Sequence, residues 1–260
     1  MDLGLEGRTA FVAASTRGLG YACARSLARE GAIVTIDGRD GARVASAVER
    51  LRTEVPTARV AGIAADISSA SGRALVFREL PDTDILVTNN AGPPPGSLAE
   101  WDEQALIDAL RANTVPAVEL MRHYLPGMRT RGFGRVVNIT SAMVKSPAAD
   151  MGLSTSARAA LTAISKSIGR EAAADGVTIN NLLPERFDTD RGEFMTERRM
   201  RTDGIDREEA RRRIAATIPA GRLGRPEEFG DACAYLCSAQ AGYITGQNLQ
   251  LDGGSYRGLV

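Results

Sequence analysis

The chain has 260 residues, as many basic as acidic side chains, and 43% apolar residues. This length suits one large α/β domain with a sizeable core, and the balanced charge argues against a nucleic-acid partner, which requires a basic surface. No targeting segment and no apolar run of membrane-spanning length is found, so we expect a cytoplasmic protein without a membrane partner.

Short apolar runs alternate with longer amphipathic stretches along almost the whole chain. Strands are predicted at 9–14, 33–37, 60–64, 85–88, 135–140, 177–183 and 248–251. Helices are predicted at 19–30, 42–53, 98–129 (one long helix with breaks), 154–174 and 226–238. Strands that alternate with helices form a parallel sheet covered on both faces. The sequence therefore predicts a single doubly wound Rossmann-type α/β domain over residues 1–260, with a central parallel sheet of about seven strands.

Residues 186–215 interrupt this alternation and are predicted to form a substrate-lid insertion within the domain. The charged run at 197–213 includes Asp206 and Glu209, whose spacing is that of a capping box opening a helix. Two interpretations stay open for this run. It is either a solvated helical excursion or a mobile lid whose arginines meet an anionic group.

The first predicted strand runs into a glycine-containing turn that opens a helix. Such a turn lets the backbone approach a pyrophosphate, and the helix N-terminus favours the negative charge of that group. Ligands of this kind of sheet bind at the carboxyl ends of its strands. The turn therefore predicts a dinucleotide site formed by Ala14, Ser15, Arg17, Gly18, Leu19 and Gly20.

Motifs farther along the chain make this pattern specific. They are Asp66-Ile67, Asn89-Asn90-Ala91-Gly92, Asn113, Asn138-Ile139-Thr140-Ser141, Pro184 with Thr189, Ile244-Thr245-Gly246, and Asp252-Gly253-Gly254. With these motifs the chain resembles the short-chain dehydrogenase/reductase family over nearly its full length, and within it the bacterial 3-oxoacyl-acyl-carrier-protein reductases. The resemblance implies an oxidoreductase that acts on a small-molecule carbonyl or acyl substrate and assembles as a homodimer or homotetramer.

The resemblance also implies which residues contact the cofactor. Asp66 would accept a hydrogen bond from the adenine amino group, and Thr189 would touch the nicotinamide carboxamide. Asn90 would help to line the floor under the adenine ribose, although an asparagine there also stabilises turns. The first turn glycine of the family is Ala14 here, which narrows the turn. Besides the turn, the implied cofactor residues are Asp66, Ile67, Asn90, Ala91, Gly92, Arg158, Pro184 and Thr189.

The end of the second predicted strand bears on cofactor choice. A carboxylate there binds a ribose 2′-hydroxyl, whereas an arginine accommodates a 2′-phosphate. Gly38 holds the position and Arg39 follows it, while Asp37 is predicted to point to the other face. Arg17 in the turn would lie near the same phosphate. We therefore expect NADP(H) to be preferred and NAD(H) to be possible. Because only 2 of 32 basic residues are lysines, composition also explains each arginine.

The catalytic tetrad of the family is incomplete in this chain. Asn113 and Ser141 match the family asparagine and serine, but the family tyrosine and lysine fall on Ser154 and Arg158. An arginine can hold ribose hydroxyls but does not titrate near neutral pH. A serine hydroxyl is too weak an acid to protonate an alkoxide unaided. A reductase of this sequence therefore needs another proton donor.

Two other side chains are candidates for that donor. Lys145 lies in the loop that borders the substrate in this family, and its retention as lysine suggests a need for a compact ammonium. An exposed loop lysine is the other interpretation. Glu185 replaces the family glycine after Pro184, and a buried carboxylate there would take up a proton. A salt bridge from Glu185 to Arg186 or Arg158 is the alternative.

These residues predict a carbonyl reductase that uses NADPH and in which a group other than the family tyrosine donates the proton. Two other functions stay open. One is a dinucleotide-binding pseudoenzyme that acts as a sensor or partner subunit, and the other is a non-redox lyase or isomerase that uses Ser141, Lys145 and Glu185. No spacing of metal ligands is found, and the three cysteines are expected to be buried thiols.

Overall fold

In the computed structural model, which describes residues 1–259, every strand pair of the central sheet is parallel. The strand order is β3-β2-β1-β4-β5-β6-β7. The order reverses between β1 and β4, and a crevice opens there at the carboxyl ends of the strands. The predicted doubly wound sheet is confirmed, with strands Thr9–Val12 (β1), Ile33–Gly38 (β2), Arg59–Ala64 (β3), Ile85–Thr88 (β4), Gly134–Ile139 (β5), Val177–Pro184 (β6) and Asn248–Leu251 (β7).

Helices cover both faces of the sheet and bury two apolar cores. One core packs α1, α2 and α9 on one face, and the other packs α3, α5 and α6 on the opposite face. The α-helices are Gly18–Arg29 (α1), Gly41–Glu54 (α2), Ala70–Glu79 (α3), Glu103–Asn113 (α4), Val115–Arg131 (α5), Gly152–Ala172 (α6), Asp190–Asp203 (α7), Arg207–Ala216 (α8) and Pro226–Cys237 (α9). Short 3₁₀ turns lie at Leu98–Glu100, Ala142–Val144, Ala149–Met151 and Ala173–Asp175.

The helix predicted at 98–129 with breaks is found as α4 and α5, which are separated at Thr114. Pro116 in the first turn of α5 has no N–H, so it cannot donate to the carbonyl of Ala112 as a helical residue would. Asn90 supplies the missing donor, with its Nδ2 2.6 Å from the oxygen of Ala112. The break thus has a local cause, and it leaves Asn113 as the last residue of α4.

Helix α3 was not predicted. Its capping residue is Ser69, but only Gly72 and Val76 of the helix are buried, so the apolar periodicity is faint. Residues 186–215, which we call the lid segment after their predicted role, form α7 and most of α8, and Asp206 caps α8 by accepting from the N–H of Glu209. Within residues 1–259, no helix combines the length and apolarity needed to cross a bilayer.

Candidate functional site

The turn between β1 and α1 presents bare backbone to the crevice. A Cβ on Gly18 would meet no atom within 4 Å, whereas one on Gly20 would lie 2.7 Å from the oxygen of Ala14 and 2.8 Å from Nδ2 of Asn89. That amide of Asn89 donates to the oxygen of Ala14 over 3.0 Å, a role that sequence analysis did not assign. The open space above Gly18, at a helix N-terminus, fits the diphosphate of a dinucleotide.

Asp37 lies directly under this turn and is 1% exposed. Its carboxylate accepts a hydrogen bond from the N–H of Ala14, and its carbonyl accepts one from the N–H of Ser15 over 2.9 Å. Burial raises the pKa of Asp37 to about 7, and the nearby charge of Asp66 adds to the effect. Its carboxylate is engaged with the turn rather than presented at the ribose position.

The last residue of β2 is Gly38, which has no side chain. Gly38 places no carboxylate at the position that selects a ribose 2′-hydroxyl, and a Cβ added there would lie 2.7 Å from Cγ2 of Thr16. Arg39 is exposed next to it. Hydrogen bonds from Ser68 hold the pKa of Asp66 below its ordinary value, and the positive charge of Arg39 acts in the same direction. The observed side chains favour a 2′-phosphate over a free hydroxyl.

Arg17 and Thr189 join the cofactor turn to the lid segment. Arg17 forms an ion pair with Asp190, with Nη1 2.5 Å from Oδ2, rather than standing free beside Arg39. Thr189 caps α7, because its hydroxyl accepts from the N–H of Gly192 over 3.3 Å. The lid segment is therefore anchored to the cofactor turn at the start of α7.

Of the other implied cofactor residues, Leu19 is partly buried, Ile67 is buried, Ala91 is exposed and Pro184 ends β6.

The side chain of Asn90 is bound to α4 through Ala112, so it stabilises a turn and leaves the backbone of this loop to face the cofactor. Gly92 lies beside the altered tetrad. A Cβ on Gly92 would stand 3.2 Å from Nη2 of Arg158 and 3.3 Å from Oγ of Ser154. The loop after β4 therefore brings the cofactor residues against the catalytic residues.

Arg158 is held by the end of β5 and by Ser154. Its Nη1 donates to the carbonyl oxygens of Ile139 over 3.0 Å and Thr140 over 2.7 Å, and its Nε donates to Oγ of Ser154 over 3.3 Å. Burial lowers the pKa of Arg158 to about 10, with the charge of Arg191 adding to the effect. Arg158 is thus a fixed cation at neutral pH, one helical turn beyond the serine that replaces the family tyrosine.

Asn113 is the last residue of α4, and Ser141 lies just after β5. Asn113 is 1% exposed and donates from Nδ2 to the oxygen of Ala109 over 3.0 Å. Its Oδ1 is buried and has no hydrogen-bond partner among residues 1–259, so it can accept from a water. Ser141 begins a short 3₁₀ turn, where its hydroxyl accepts from the N–H of Met143 over 3.2 Å. Its O–H hydrogen is not used by that contact and can be donated.

Lys145 meets a tyrosine that sequence analysis missed. Its Nζ lies 5.2 Å from the ring centroid of Tyr256, within the range of a cation–π contact. The backbone N–H of Tyr256 donates to the carboxylate of Asp252, just after β7. No spacing rule relates a tail residue to a loop after β5, so only the fold reveals this pair.

The carboxylate of Glu185 is paired with the next residue along the chain. It forms an ion pair with Arg186, with 3.3 Å between Oε1 and Nε, and its backbone N–H donates to Leu251. Of the two salt bridges considered for Glu185, the structure forms the one with Arg186. The carboxylate is thus paired with a cation rather than presented as a free acid or base.

A family model described as enoyl-(acyl carrier protein) reductase matches residues 13–256. The chain belongs to the short-chain dehydrogenase/reductase family. NADPH-dependent reductase BacG from Bacillus subtilis is 31% identical over 256 residues, which are 97% of this chain and 99% of that protein. The 3-oxoacyl-[acyl-carrier-protein] reductase FabG from Haemophilus influenzae is 30% identical over 252 residues, covering 97% of this chain and 99% of that protein. The predicted family is confirmed.

Solved structures of this dehydrogenase/reductase fold superpose over the whole chain. L-sorbose reductase from Gluconobacter frateurii, complexed with NADPH and L-sorbose, matches with a TM-score of 0.93 at 27% identity and covers 100% of both chains. A 3-oxoacyl (acyl-carrier-protein) reductase from Agrobacterium tumefaciens C58 with NADP bound matches with a TM-score of 0.87 at 32% identity, over 97% of this chain and 96% of that one. The fold is therefore that of the family.

Proposed function

We propose that this short-chain dehydrogenase/reductase is an NADPH-dependent carbonyl reductase, similar to the 3-oxoacyl-acyl-carrier-protein reductases. The observation that carries the proposal is the open space above the backbone of Gly18 in the cofactor turn, together with the absence of a carboxylate at Gly38, the last residue of β2. Arg39 is assigned to the 2′-phosphate, and the backbone around Gly18 and Gly20 to the diphosphate. When bound, NADPH supplies a hydride to the carbonyl carbon of the substrate. The residues of this chain must then position the carbonyl and protonate its oxygen.

Ser141 and Arg158 divide the positioning roles. The hydroxyl of Ser141 donates a hydrogen bond to the carbonyl oxygen and so favours the negative charge that develops there. Arg158 has Nη1 and Nε engaged with the protein, which leaves Nη2 beside Gly92 for the hydroxyls of the nicotinamide ribose. Since Arg158 does not titrate at neutral pH, it takes only the ribose-binding half of the family lysine's role.

The proposed proton donor is Lys145, and Tyr256 is its positioning residue. A cation over an aromatic face is attracted by the negative electrostatic potential of that face, so the phenol ring of Tyr256 holds the ammonium of Lys145, which lies four residues after Ser141. Lys145 then donates the proton to the alkoxide oxygen and regains it from water. The reduction is balanced by one hydride at carbon and one proton at oxygen.

We expect Lys145→Ala to lower kcat with an accepted carbonyl substrate by about 10²–10⁴-fold, the usual contribution of a general acid. NADPH affinity should stay nearly intact, because Lys145 does not contact the cofactor in this proposal. Lys145→Arg should fail almost as badly, since arginine does not release a proton near neutral pH. Steady-state NADPH oxidation measures the rates, and calorimetry measures the cofactor affinity. Ser154→Ala should have a much smaller effect.

The chain offers a matched control in Lys166, its other lysine, whose Nζ donates to the oxygen of Gly246 over 2.9 Å. Lys166→Arg should keep the wild-type rate. Tyr256→Phe retains the ring and should keep most of the activity, whereas a loss equal to that of Lys145→Ala would make the phenol the donor. An unimpaired Lys145→Ala enzyme would exclude Lys145 as the donor and leave a water held by Asn113, since the carboxylate of Glu185 is paired with Arg186.

A pseudoenzyme is the second candidate, and the contacts of Arg158 favour it. The hydrogen bonds of Arg158 to two carbonyl oxygens and to Ser154 stabilise the fold around it, a role that does not require a reaction. This candidate predicts no turnover in any of these variants, and gain of activity in the double variant Ser154→Tyr/Arg158→Lys. The non-redox alternative depends on Glu185 as a base, and its ion pair with Arg186 gives that role no support.

A further inference from the structure

The arginines of the lid segment are almost all neutralised. Between residues 186 and 215, each arginine other than Arg191 lies within 4.0 Å of a carboxylate oxygen, as in the pair of Arg198 with Asp150 at 2.9 Å. Arg191 has no such partner among residues 1–259 and lies over the ring of Phe194, 5.2 Å from its centroid. The lid segment thus presents one uncompensated cation rather than a general basic surface.

Arg191 lies near the start of α7, on a helix face that it shares with Arg198. It follows Asp190, the first residue of the helix, and lies seven residues before Arg198, so the two side chains project from the same face. Arg198 is bound to Asp150, which belongs to the loop between Ser141 and the tetrad position 154. The face of α7 that carries Arg191 therefore packs toward the loop that borders the substrate.

The charge of Arg191 also reaches the catalytic residues. It adds to the burial that lowers the pKa of Arg158. Partial burial, and then the charge of Arg198, lowers the pKa of Arg191 itself. Arg158, Arg191 and Arg198 form a group of like charges, in which Arg198 is paired with Asp150. Like charges repel one another, and an anion that enters the group relieves this repulsion.

The cofactor turn has a different electrostatic arrangement. Arg17 is already paired with Asp190 there, and the diphosphate has the backbone of Gly18 and Gly20. Resting on the reductase function proposed above, we propose that Arg191 binds an anionic group of the substrate, a carboxylate or a phosphate. The substrate class is then an acidic carbonyl compound whose charged end lies between α7 and the loop at Asp150, with its carbonyl at Ser141.

Matched pairs of carbonyl compounds test this assignment. The carboxylate pair is acetoacetate with its methyl ester, and the phosphate pair is dihydroxyacetone phosphate with dihydroxyacetone. We expect kcat/KM to favour the charged member of at least one pair by about 10–100-fold, the contribution of one charge-assisted hydrogen bond. Arg191→Met should erase that preference while leaving kcat/KM for the neutral member and the affinity for NADPH within about threefold of wild type. The pair that shows the preference identifies the anion.

Arg201→Met is the matched control, because Arg201 lies on the same helix and pairs only weakly with Glu197, at 4.0 Å. It should keep the preference for the charged compound. An equal preference in wild type and Arg191→Met overturns the proposal, and so does a loss of NADPH affinity in Arg191→Met with the preference intact, which assigns Arg191 to the cofactor.

Turnover is not the only readout. If no carbonyl compound is reduced by any variant, the proposed reductase function is wrong. Calorimetry of the NADP⁺-saturated protein with butyrate and with inorganic phosphate then still tests whether Arg191 binds an anion. Binding of either anion that is lost in Arg191→Met supports the site. Equal binding to wild type and Arg191→Met, or binding to neither, overturns it.

Discussion

The carboxylate of Asp37 couples the cofactor turn to pH. Burial raises its pKa from 3.8 to about 7 in the folded protein. Between these values the folded protein holds a proton that the unfolded chain has released, so folding is accompanied by proton uptake. The free energy of unfolding contributed by this group therefore falls as the pH rises from about 4 to about 7, and is level above that range. The sequence showed an acidic residue at a strand end but not its burial.

Asp37→Asn should remove this pH dependence. An asparagine oxygen can still accept from the N–H of Ala14, but no charge is then buried. We expect the variant to be more stable than wild type by about 2–4 kcal/mol at pH 8, since each pKa unit corresponds to about 1.4 kcal/mol. The difference should vanish near pH 4. Urea unfolding at both pH values measures it.

Asp40→Asn is the control, because Asp40 is an exposed carboxylate at the start of α2 and asparagine caps a helix equally well. It should follow the wild-type stability profile between pH 4 and pH 8. Identical profiles for wild type and Asp37→Asn would show that Asp37 is ionised at no cost in the folded protein.

At the scale of elements, the turn between β1 and α1 holds a strained residue. Ala14 has a φ of +46°, in the left-handed region, where the family has glycine. This conformation costs an L-residue about 1–2 kcal/mol, whereas glycine adds about 0.4–1 kcal/mol of unfolded-chain entropy. Ala14→Gly should therefore stabilise the protein by about 0.5–1 kcal/mol, measured as a higher urea midpoint at constant slope.

The neighbouring Ala13 provides the comparison, since it is fully buried and its φ is not positive. Ala13→Gly gains nothing from a left-handed conformation and should lose about 1 kcal/mol. A destabilised Ala14→Gly variant would mean that the methyl group of Ala14 contributes more by packing than its backbone strain costs.

Strongly periodic elements were the predictable part of the fold. Strands β4 and β7 begin and end at the predicted residues, β4 as a short buried apolar run and β7 as an alternation of polar and apolar residues. The break between α4 and α5 was not predictable in its place, since the donor that replaces the N–H of Pro116 comes from Asn90, in the loop after β4. Helix α3 was missed because it buries too little to show a period.

The candidate site was predictable where motifs are local. The cofactor turn was found from its glycines after the first strand, and Ser154 and Arg158 were found from the family resemblance, while the ion pair of Glu185 with Arg186 was one of two alternatives for that carboxylate. Tyr256 could not be found, because its contact with Lys145 depends on where the tail after β7 crosses the loop after β5. Pairings between distant segments follow from topology rather than from residue spacing.

At the scale of the whole molecule, apolar side chains are exposed on one helical region. Leu106 and Leu110, one turn apart on α4, are 45% and 40% exposed, and Val115 at the start of α5 is 38% exposed. Contiguous apolar surface of this kind marks an interface with another protein. The homodimer or homotetramer implied by the family resemblance remains a proposal, and this face is the surface we assign to it.

We expect light scattering at micromolar concentration to give a mass of two or four times the 27.6 kDa chain. Leu106→Lys should shift the species toward monomer, because a charge in the middle of a self-complementary face is repeated across a two-fold axis and repels its copy. Leu98→Lys, at a side chain that is 78% exposed in the 3₁₀ turn before α4, should leave the assembly intact. A monomeric wild-type protein would refute the assembly itself. If the wild-type protein is an oligomer that Leu106→Lys does not weaken, the interface lies on another face. The edge strand β7, where Leu249 is 42% exposed, is such a face.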